Sequence, residues 1–589
     1  MSCILRRLTL KSFIFIVFGL MVIPAGSQEV PKVYNNIIAK EGSYFFVNRG
    51  DTLPELVPPT KYGLSAMMGN PQGTATGISF DFRDSTFNGT LYFGFIPFGD
   101  SKHPMPVYFR QSLAINRGLV EINIPLYLSG TYDMVGWEVN QSGTLGYRVV
   151  NAVGDFIYDG IVSFRGAGPF EIDYTIVEGP FVNNVGPHGG VISFQTNLPV
   201  RTTLKVGPLD IREPRQVTHH EIEVNGLEPD SLYAYTIEYG ENEVSYHFRT
   251  SPLPGTRKPF TFAYCSDSRA GQGGGERSIF GANAYIMKKI MALAVQKRIS
   301  FMQFSGDLIN GYLTNSEEMH LQYANWKRAI QPFAHYLPVY ISMGNHEAFV
   351  RMFIDTTNHA IYQIDRFPFE TESAETLFAQ NFVNPVNGPE SEDGARYDPD
   401  TTAIDFPTYK ENVFYYIHDN VAVIVLNSDY FYAPTSLAIN RTGGGLHGYI
   451  MDTQLEWLDK TIADLEADVN IDHVFVTQHT PCFPNGGHVR DDMWYAGNND
   501  FRPWVAGRAL PFGIIQRRDQ LLDIIVNKSS KVRAILTGDE HNYNRLHLTP
   551  ETKIYPELYF PTRINLTRSI YQINNGAAGA PYYAQELTP

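Results

Sequence analysis

The alternation of apolar and polar residues changes character twice along the chain. Between residues 30 and 166 the apolar runs are short, aromatic and β-branched. Examples are 90-TLYFGFIPF-98, 119-LVEINIPLYL-128 and 145-LGYRVVNAV-153, separated by Gly, Asn, Asp and Ser. That rhythm predicts an all-β sandwich or barrel. From 167 to 253 five further strands are expected, at 191–197, 201–207, 219–227, 233–240 and 244–250, with spacings suited to a second sandwich. After the Pro- and Gly-rich linker 251-SPLPGTRKP-259 the period lengthens. Helices are predicted at 278–297, 316–334, 452–468 and 517–527. In the third, Leu455, Leu458, Ile462 and Leu465 recur at helical spacing, and Thr453 with Glu456 reads as a capping box. Strands alternating with helices imply an α/β domain over 258–589 with a largely buried sheet. A hairpin is expected at 411–428, turning at His418-Asp419-Asn420, and a polar rim loop between about 350 and 410.

Composition narrows this picture. The first 27 residues read as a signal peptide. Arg6, Arg7 and Lys11 precede an apolar run from Phe13 to Ile23 and a small-residue cleavage site, Ala25-Gly26-Ser27; the alternative is a short anchor helix. The expectation is an exported protein, secreted or periplasmic, with no membrane span after signal removal. The formal charge of -15 argues against a nucleic-acid partner. Two cysteines follow the leader, Cys265 and Cys482, and read as small buried hydrophobes. Adjacent His219 and His220 are taken as surface and edge residues. Sequons stand at Asn88, Asn140, Asn440, Asn527 and Asn565.

Five stretches carry the chemistry: 262-FAYCSDSR-269, 304-FSGDLINGY-312, 338-PVYISMGNHE-347, 473-HVFVTQHTP-481 and 533-RAILTGDEHNYNR-545. Each is an apolar strand delivering Asp, Asn or His at its exit, where ligand sites of α/β sheets gather. Hard oxygen and imidazole ligands with a shared carboxylate suit a two-metal site for phosphate-ester hydrolysis.

The order Asp267, Asp307, Asn345-His346, His479, Asp539-x-His541 resembles the calcineurin-like metallophosphatases, with 344-GNHE-347 as the most specific piece. The segment 226-GLEPDSLYAYTIEYG-240 resembles a fibronectin type III domain. Such a module ahead of the α/β domain, with 571-YQINNGAAGAPYY-583 near the end, resembles the purple acid phosphatases. The resemblance spans about 170–585 and leaves 30–166 without a role. It implies two all-β sandwiches followed by an αββα metallophosphatase domain, and two divalent metal ions (Fe, Mn or Zn). By it, Asp267 and His541 serve one metal, Asp307 bridges, and Asn345, His479 and Asp539 serve the other. His346 becomes the general acid and contacts phosphate together with Asn345.

Three positions depart from the family pattern. Asn310, itself a candidate metal ligand, stands where the family has an iron-binding tyrosine, with Tyr312 two places out of register, so the purple colour should be lost and a preference for ferric iron does not follow. Asp539 replaces a histidine, which makes that ligand position richer in oxygen. Arg269 stands where His or Gly is usual; its fork suits a phosphate oxygen, or it makes a structural ion pair. His488, in the loop 482-CFPNGGHVRDDMWYAG-497, is a candidate for the substrate pocket with Arg490, Trp494 and Tyr495. The expected function is an exported phosphomonoesterase using a metal-bound hydroxide. Its alternatives are a phosphodiesterase or nucleotidase, and a non-catalytic surface binding protein on the same scaffold.

Overall fold

The computed structural model describes residues 30–97, 103–105, 111–130, 135–270, 278–435 and 438–582. The expected signal peptide lies outside them. Among the described residues no helix is long and apolar enough to cross a membrane.

The N-terminal half is all-β. A five-stranded antiparallel sheet runs in the order Glu171–Ile172, Phe156–Arg165, Ser142–Asn151, Gly89–Phe95, Gln111–Ile115. It shares a core of Phe80, Leu91, Phe93, Tyr147 and Val149 with a three-stranded sheet formed by Gln72–Gly73, Gly77–Asp81 and Leu119–Asn123. The run 119–128 is therefore only half strand. Asn123 accepts the N–H of Leu126 and caps the short helix Ile124–Leu128, where Pro125 in the first turn has no N–H to lose.

The second sandwich pairs Ile176–Gly186, Gly189–Val200 and Val217–Asn225 against a sheet of Leu209–Arg212, Thr202–Val206, Leu232–Tyr239 and Asn242–Arg249. Leu204, Val224, Tyr235 and Ile237 fill it. His220 is not a surface residue. Neighbours on a strand face opposite sides, so His219 is exposed while His220 is buried, stacked on Phe194 at 4.4 Å and bonded to Glu213.

Residues 37–56 do not pair with the first sandwich. Ile37–Lys40, Ser43–Asn48 and Asp51–Leu56 extend a hairpin of the α/β region, Val350–Ile354 with Ile361–Asp365. Val33, Tyr34, Ile37 and Phe46 enter that region's core. The segment read as a rim loop is thus built structure, and it continues into the helices Phe369–Glu372 and Ala374–Asn381.

The α/β region is a four-layer sandwich. A parallel sheet of Ala263–Cys265, Met302–Ser305 and Val339–Ser342 faces a six-stranded one, ordered Phe414–His418, Val421–Val425, His473–Thr477, Val532–Thr537, Ile570–Asn575, Tyr543–Leu548. Phe301, Tyr340, Tyr416 and Val423 fill the space between them, with Tyr340 stacked on Tyr416 at 3.6 Å. Helices Ala284–Gln296 and Ser316–Ala334 cover the first sheet; Asp452–Ala467 and Ile514–Leu522 cover the second. The capping box expected at Thr453 is absent, because the helix begins two residues too early for it, with Met451 at the N-cap. A buried carboxylate from another segment, Glu392, accepts the N–H groups of Thr453 and Gln454 instead. It satisfies donors that a helix start leaves open.

His335 joins the second sandwich to the α/β region. Its ring stacks on Tyr246 at 4.0 Å and its Nδ1 donates to the Pro180 carbonyl at 2.6 Å. Burial pushes its pKa down to about 3. The folded value lies below the unfolded one, so the unfolded state binds the extra proton in between. Stability should be complete above about pH 6.5 and decline as pH falls toward the folded value, by about 2 kcal/mol at pH 5. Thermal melts across this range should show a shallower decline for His335→Phe than for wild type.

Candidate metal centre

Three aspartates leave their strands in the left-handed backbone region: Asp267 at φ 66°, Asp307 at φ 55° and Asp539 at φ 66°. Aspartate tolerates this region better than most residues. The turn swings each carboxylate back over the sheet edge, and all three are buried. Close backbone approach makes this possible. A Cβ on Gly344 would lie 2.5 Å from Asp307 Oδ1, and one on Gly538 would lie 2.6 Å from Asp267 Oδ2.

Backbone carbonyls orient the histidines. Nδ1 of His479 donates to Ser305 O at 2.8 Å, that of His346 to Asn310 O at 2.6 Å, and that of His541 to Pro581 O. In each ring this turns Nε2 toward the carboxylates. His479 Nε2 lies 3.2 Å from Asp307 Oδ1 and 3.4 Å from Asp539 Oδ1; His541 Nε2 lies 3.4 Å from Asp267 Oδ1. His346 Nε2 stands farther out, 3.8 Å from Asp307 Oδ2, and its side chain remains 19% exposed at the mouth of the site.

The remaining sequence candidates fall around this centre. Asn345 Nδ2 donates to the Tyr312 hydroxyl at 2.7 Å, which points Asn345 Oδ1 the other way. Tyr312 is thus a positioning residue that a register argument discarded. The Asn310 side-chain oxygen accepts the Ala270 N–H at 3.0 Å, and its main chain holds His346. Arg269 reaches Asp307 Oδ2 with Nε at 3.8 Å and His541 with a terminal nitrogen at 3.4 Å. In the following loop Arg490 is exposed, whereas Trp494 and Tyr495 are buried; Tyr495 donates to the His447 carbonyl.

Four buried atoms aimed at the centre have no hydrogen-bond partner: Asp267 Oδ1, Asp307 Oδ2, Asn345 Oδ1 and His479 Nε2. Leaving such groups unsatisfied costs about 1–3 kcal/mol each. One ligand atom each of Asp267, Asp307 and His479 lie within 4.8 Å of one another. Carboxylate, amide oxygen and imidazole nitrogen are all ligands for divalent cations, so the donor set fits a metal centre.

Electrostatics agree with the geometry. Burial alone would raise Asp307, but His346 and His479 hold it well below the usual carboxylate range. Burial would lower His479, yet Asp307 drives it well above its ordinary value. Burial lowers His346, opposed by Asp307.

Sequence reasoning gave Glu347 no role and passed over His447, Asp429 and Asp492. Glu347 is fully buried and accepts the N–H groups of Asp307, Leu308 and Gly344. Burial and then the Asp307 charge push it up, while these N–H groups pull it back. It clamps the two ligand loops together. Glu347→Ala should weaken metal affinity about 10- to 100-fold, as loss of outer support does elsewhere; calorimetric metal titration reads this directly. Asp429 stands at the exit of the strand Val421–Val425, whereas His447 and Asp492 come from loops with no strand-exit pattern. They pack beside Asp539, with His447 Nε2 3.0 Å from Asp539 Oδ2.

Left-handed turns at three sheet exits, with imidazoles held by backbone carbonyls beside them, place a candidate metal centre on the edge of the four-layer α/β region. Residues 260–543 match the family of calcineurin-like phosphoesterases, and this segment belongs to that family. Among solved structures the chain is similar to PhoD, 14% identical with a TM-score of 0.41, covering 68% of this chain and 76% of that one. It is also similar to the purple acid phosphatase PPD1 from yellow lupin seeds, 14% identical with a TM-score of 0.45, covering 86% and 84%. A dimetal phosphatase from Danio rerio is 12% identical with a TM-score of 0.31, covering 55% and 90%. No curated protein matches the chain.

Proposed function

We propose that this protein is an exported dinuclear metallophosphatase that hydrolyses phosphomonoesters. The observation that carries the reading is that Asp267, Asp307 and His479 each offer a ligand atom within 4.8 Å of the others, with Asp267 Oδ1, Asp307 Oδ2 and His479 Nε2 buried and without a hydrogen bond. Asp267 and His541 would hold one ion, Asn345, His479 and Asp539 the other, and Asp307 would bridge. When bound, two divalent ions would activate water near neutral pH and neutralise charge on the phosphoryl group.

The chain's own groups do the rest. The carbonyl of Asn310 fixes His346 so that Nε2 faces the open side, where it can give a proton to the leaving oxygen. Arg269 lies beside Asp307 and His541 at the rim, 18% exposed, and its planar fork suits a phosphoryl oxygen. Packing of Tyr312 against His346, with ring centroids 4.8 Å apart, limits the swing of the imidazole.

The test is His346→Asn assayed on p-nitrophenyl phosphate. We expect kcat to fall by about 100- to 10,000-fold, the usual contribution of a positioned acid, with metal content unchanged. Unchanged kcat would remove His346 from the mechanism. Faster turnover of bis(p-nitrophenyl) phosphate than of the monoester would move the assignment to diesters.

A further inference from the structure

Beside the proposed dinuclear centre lies a second group of ligand atoms, which shares Asp539 with the centre and otherwise uses residues outside it. His447, His488, Asp492 and Asp539 each offer one atom, all within 4.8 Å of one another. His447 Nε2 is 3.0 Å from both Asp492 Oδ1 and Asp539 Oδ2, and His488 Nδ1 is 3.3 Å from Asp539 Oδ2. We propose that these four residues form a further divalent-cation site, of zinc class, that shares Asp539 with the dinuclear centre. It rests on the reading above only through Asp539.

Asp539 is shaped for the shared role. Its Oδ1 faces His479 at 3.4 Å, toward the dinuclear centre, while its Oδ2 faces His447 and His488. A carboxylate can serve two cations through two oxygens. A histidine there, with one ring nitrogen turned inward, could serve only one.

His447 is oriented as a ligand. Its Nδ1 donates to Asp429 Oδ1 at 2.5 Å, and the Ser428 hydroxyl donates to Asp429 Oδ2 at 3.0 Å. A carboxylate behind an imidazole in this way fixes the tautomer and raises the basicity of the inward nitrogen. Independently, Asp492 is wholly buried and its Oδ2 has no hydrogen-bond partner. An oxygen left without a donor in a dry pocket is what a cation would satisfy. His488 is 20% exposed and gives a hydrated ion a way in.

Two imidazole nitrogens and two carboxylate oxygens suit Zn²⁺ in four-coordinate geometry, ahead of Ca²⁺ or Mg²⁺, which prefer all-oxygen shells. Binding displaces the proton that His447 otherwise shares between Asp492 and Asp539, and that proton is released to solvent. The competing account is a protonated His447 bridging the two aspartates with no ion.

The experiment uses the full chain, stripped with chelator, reloaded with Zn²⁺ and counted by plasma mass spectrometry and calorimetric titration. We expect His447→Gln and Asp492→Asn each to hold one equivalent fewer than wild type, with affinity at the lost site reduced about 100-fold or more. Asp307→Asn should retain this equivalent. A drop in Asp307→Asn with no change in His447→Gln and Asp492→Asn overturns the proposal and leaves the dinuclear reading standing. A drop in the latter two alone supports it and counts against the dinuclear centre. Should both cluster variants misfold, cadmium NMR of the wild-type chain decides. A resonance coupled to two imidazoles, and abolished by no change at Asp307, supports the site; its absence overturns it.

Discussion

Asp307→Asn should lower kcat/KM for p-nitrophenyl phosphate by about 1,000-fold or more, which corresponds to about 4 kcal/mol of transition-state stabilisation. The reason lies in its two oxygens. Oδ1 accepts the His346 N–H at 3.0 Å and lies 3.2 Å from His479 Nε2, whereas Oδ2 is buried without a hydrogen-bond partner. An amide in its place presents one oxygen and a donor, so in the proposed bridging role one of its two oxygen ligands would be lost. Stability should fall as well. In the metal-free chain His346 and His479 hold the Asp307 carboxylate well below its usual range, so the fold favours the charged form and an amide gives up that stabilisation. Metal-free Asp307→Asn should therefore melt lower than metal-free wild type at neutral pH. A variant that turns over normally would sink the bridging assignment.

Chelation is the second large expected effect. Stripping the ions should abolish turnover and lower the melting transition of the α/β region while leaving the transition of the second sandwich in place. Ligands that bind only the folded state stabilise it by about 2.7 kcal/mol at 100-fold excess over Kd and about 4.1 at 1,000-fold. The direction follows from the centre itself, where Asp267 Oδ1, Asp307 Oδ2, Asn345 Oδ1 and His479 Nε2 are buried without a hydrogen bond, which bound ions would replace. Scanning calorimetry before and after chelation, then after Mn²⁺, Zn²⁺ or Fe²⁺ is restored, reads both outcomes. Melting and turnover that ignore the chelator would favour a binding protein on this scaffold.

Much of the architecture is written locally. The helix Ser316–Ala334 matches its sequence-derived span, with Asn315 as a local cap, and Asp452–Ala467 ends within a residue of its own, because apolar spacing acts within a few turns. The hairpin of Phe414–His418 with Val421–Val425 turns where His418-Asp419-Asn420 falls. The strand exits bearing Asp267, Asp307, His479 and Asp539 are equally local, since each is an apolar run stopped by a polar turn. What only the tertiary structure decided involves long sequence separations. Glu392 caps a helix about 60 residues later, residues 37–56 pair beside Met352 and Phe353, and His447 meets Asp429, Asp492 and Asp539 from three other segments. No period or turn signal encodes such meetings, because they are set by how the two sheets stack and by which loops then reach their common edge. The inward aim of each imidazole is of the same kind, fixed by carbonyls of Ser305, Asn310 and Pro581 that come into place only when the strands are assembled.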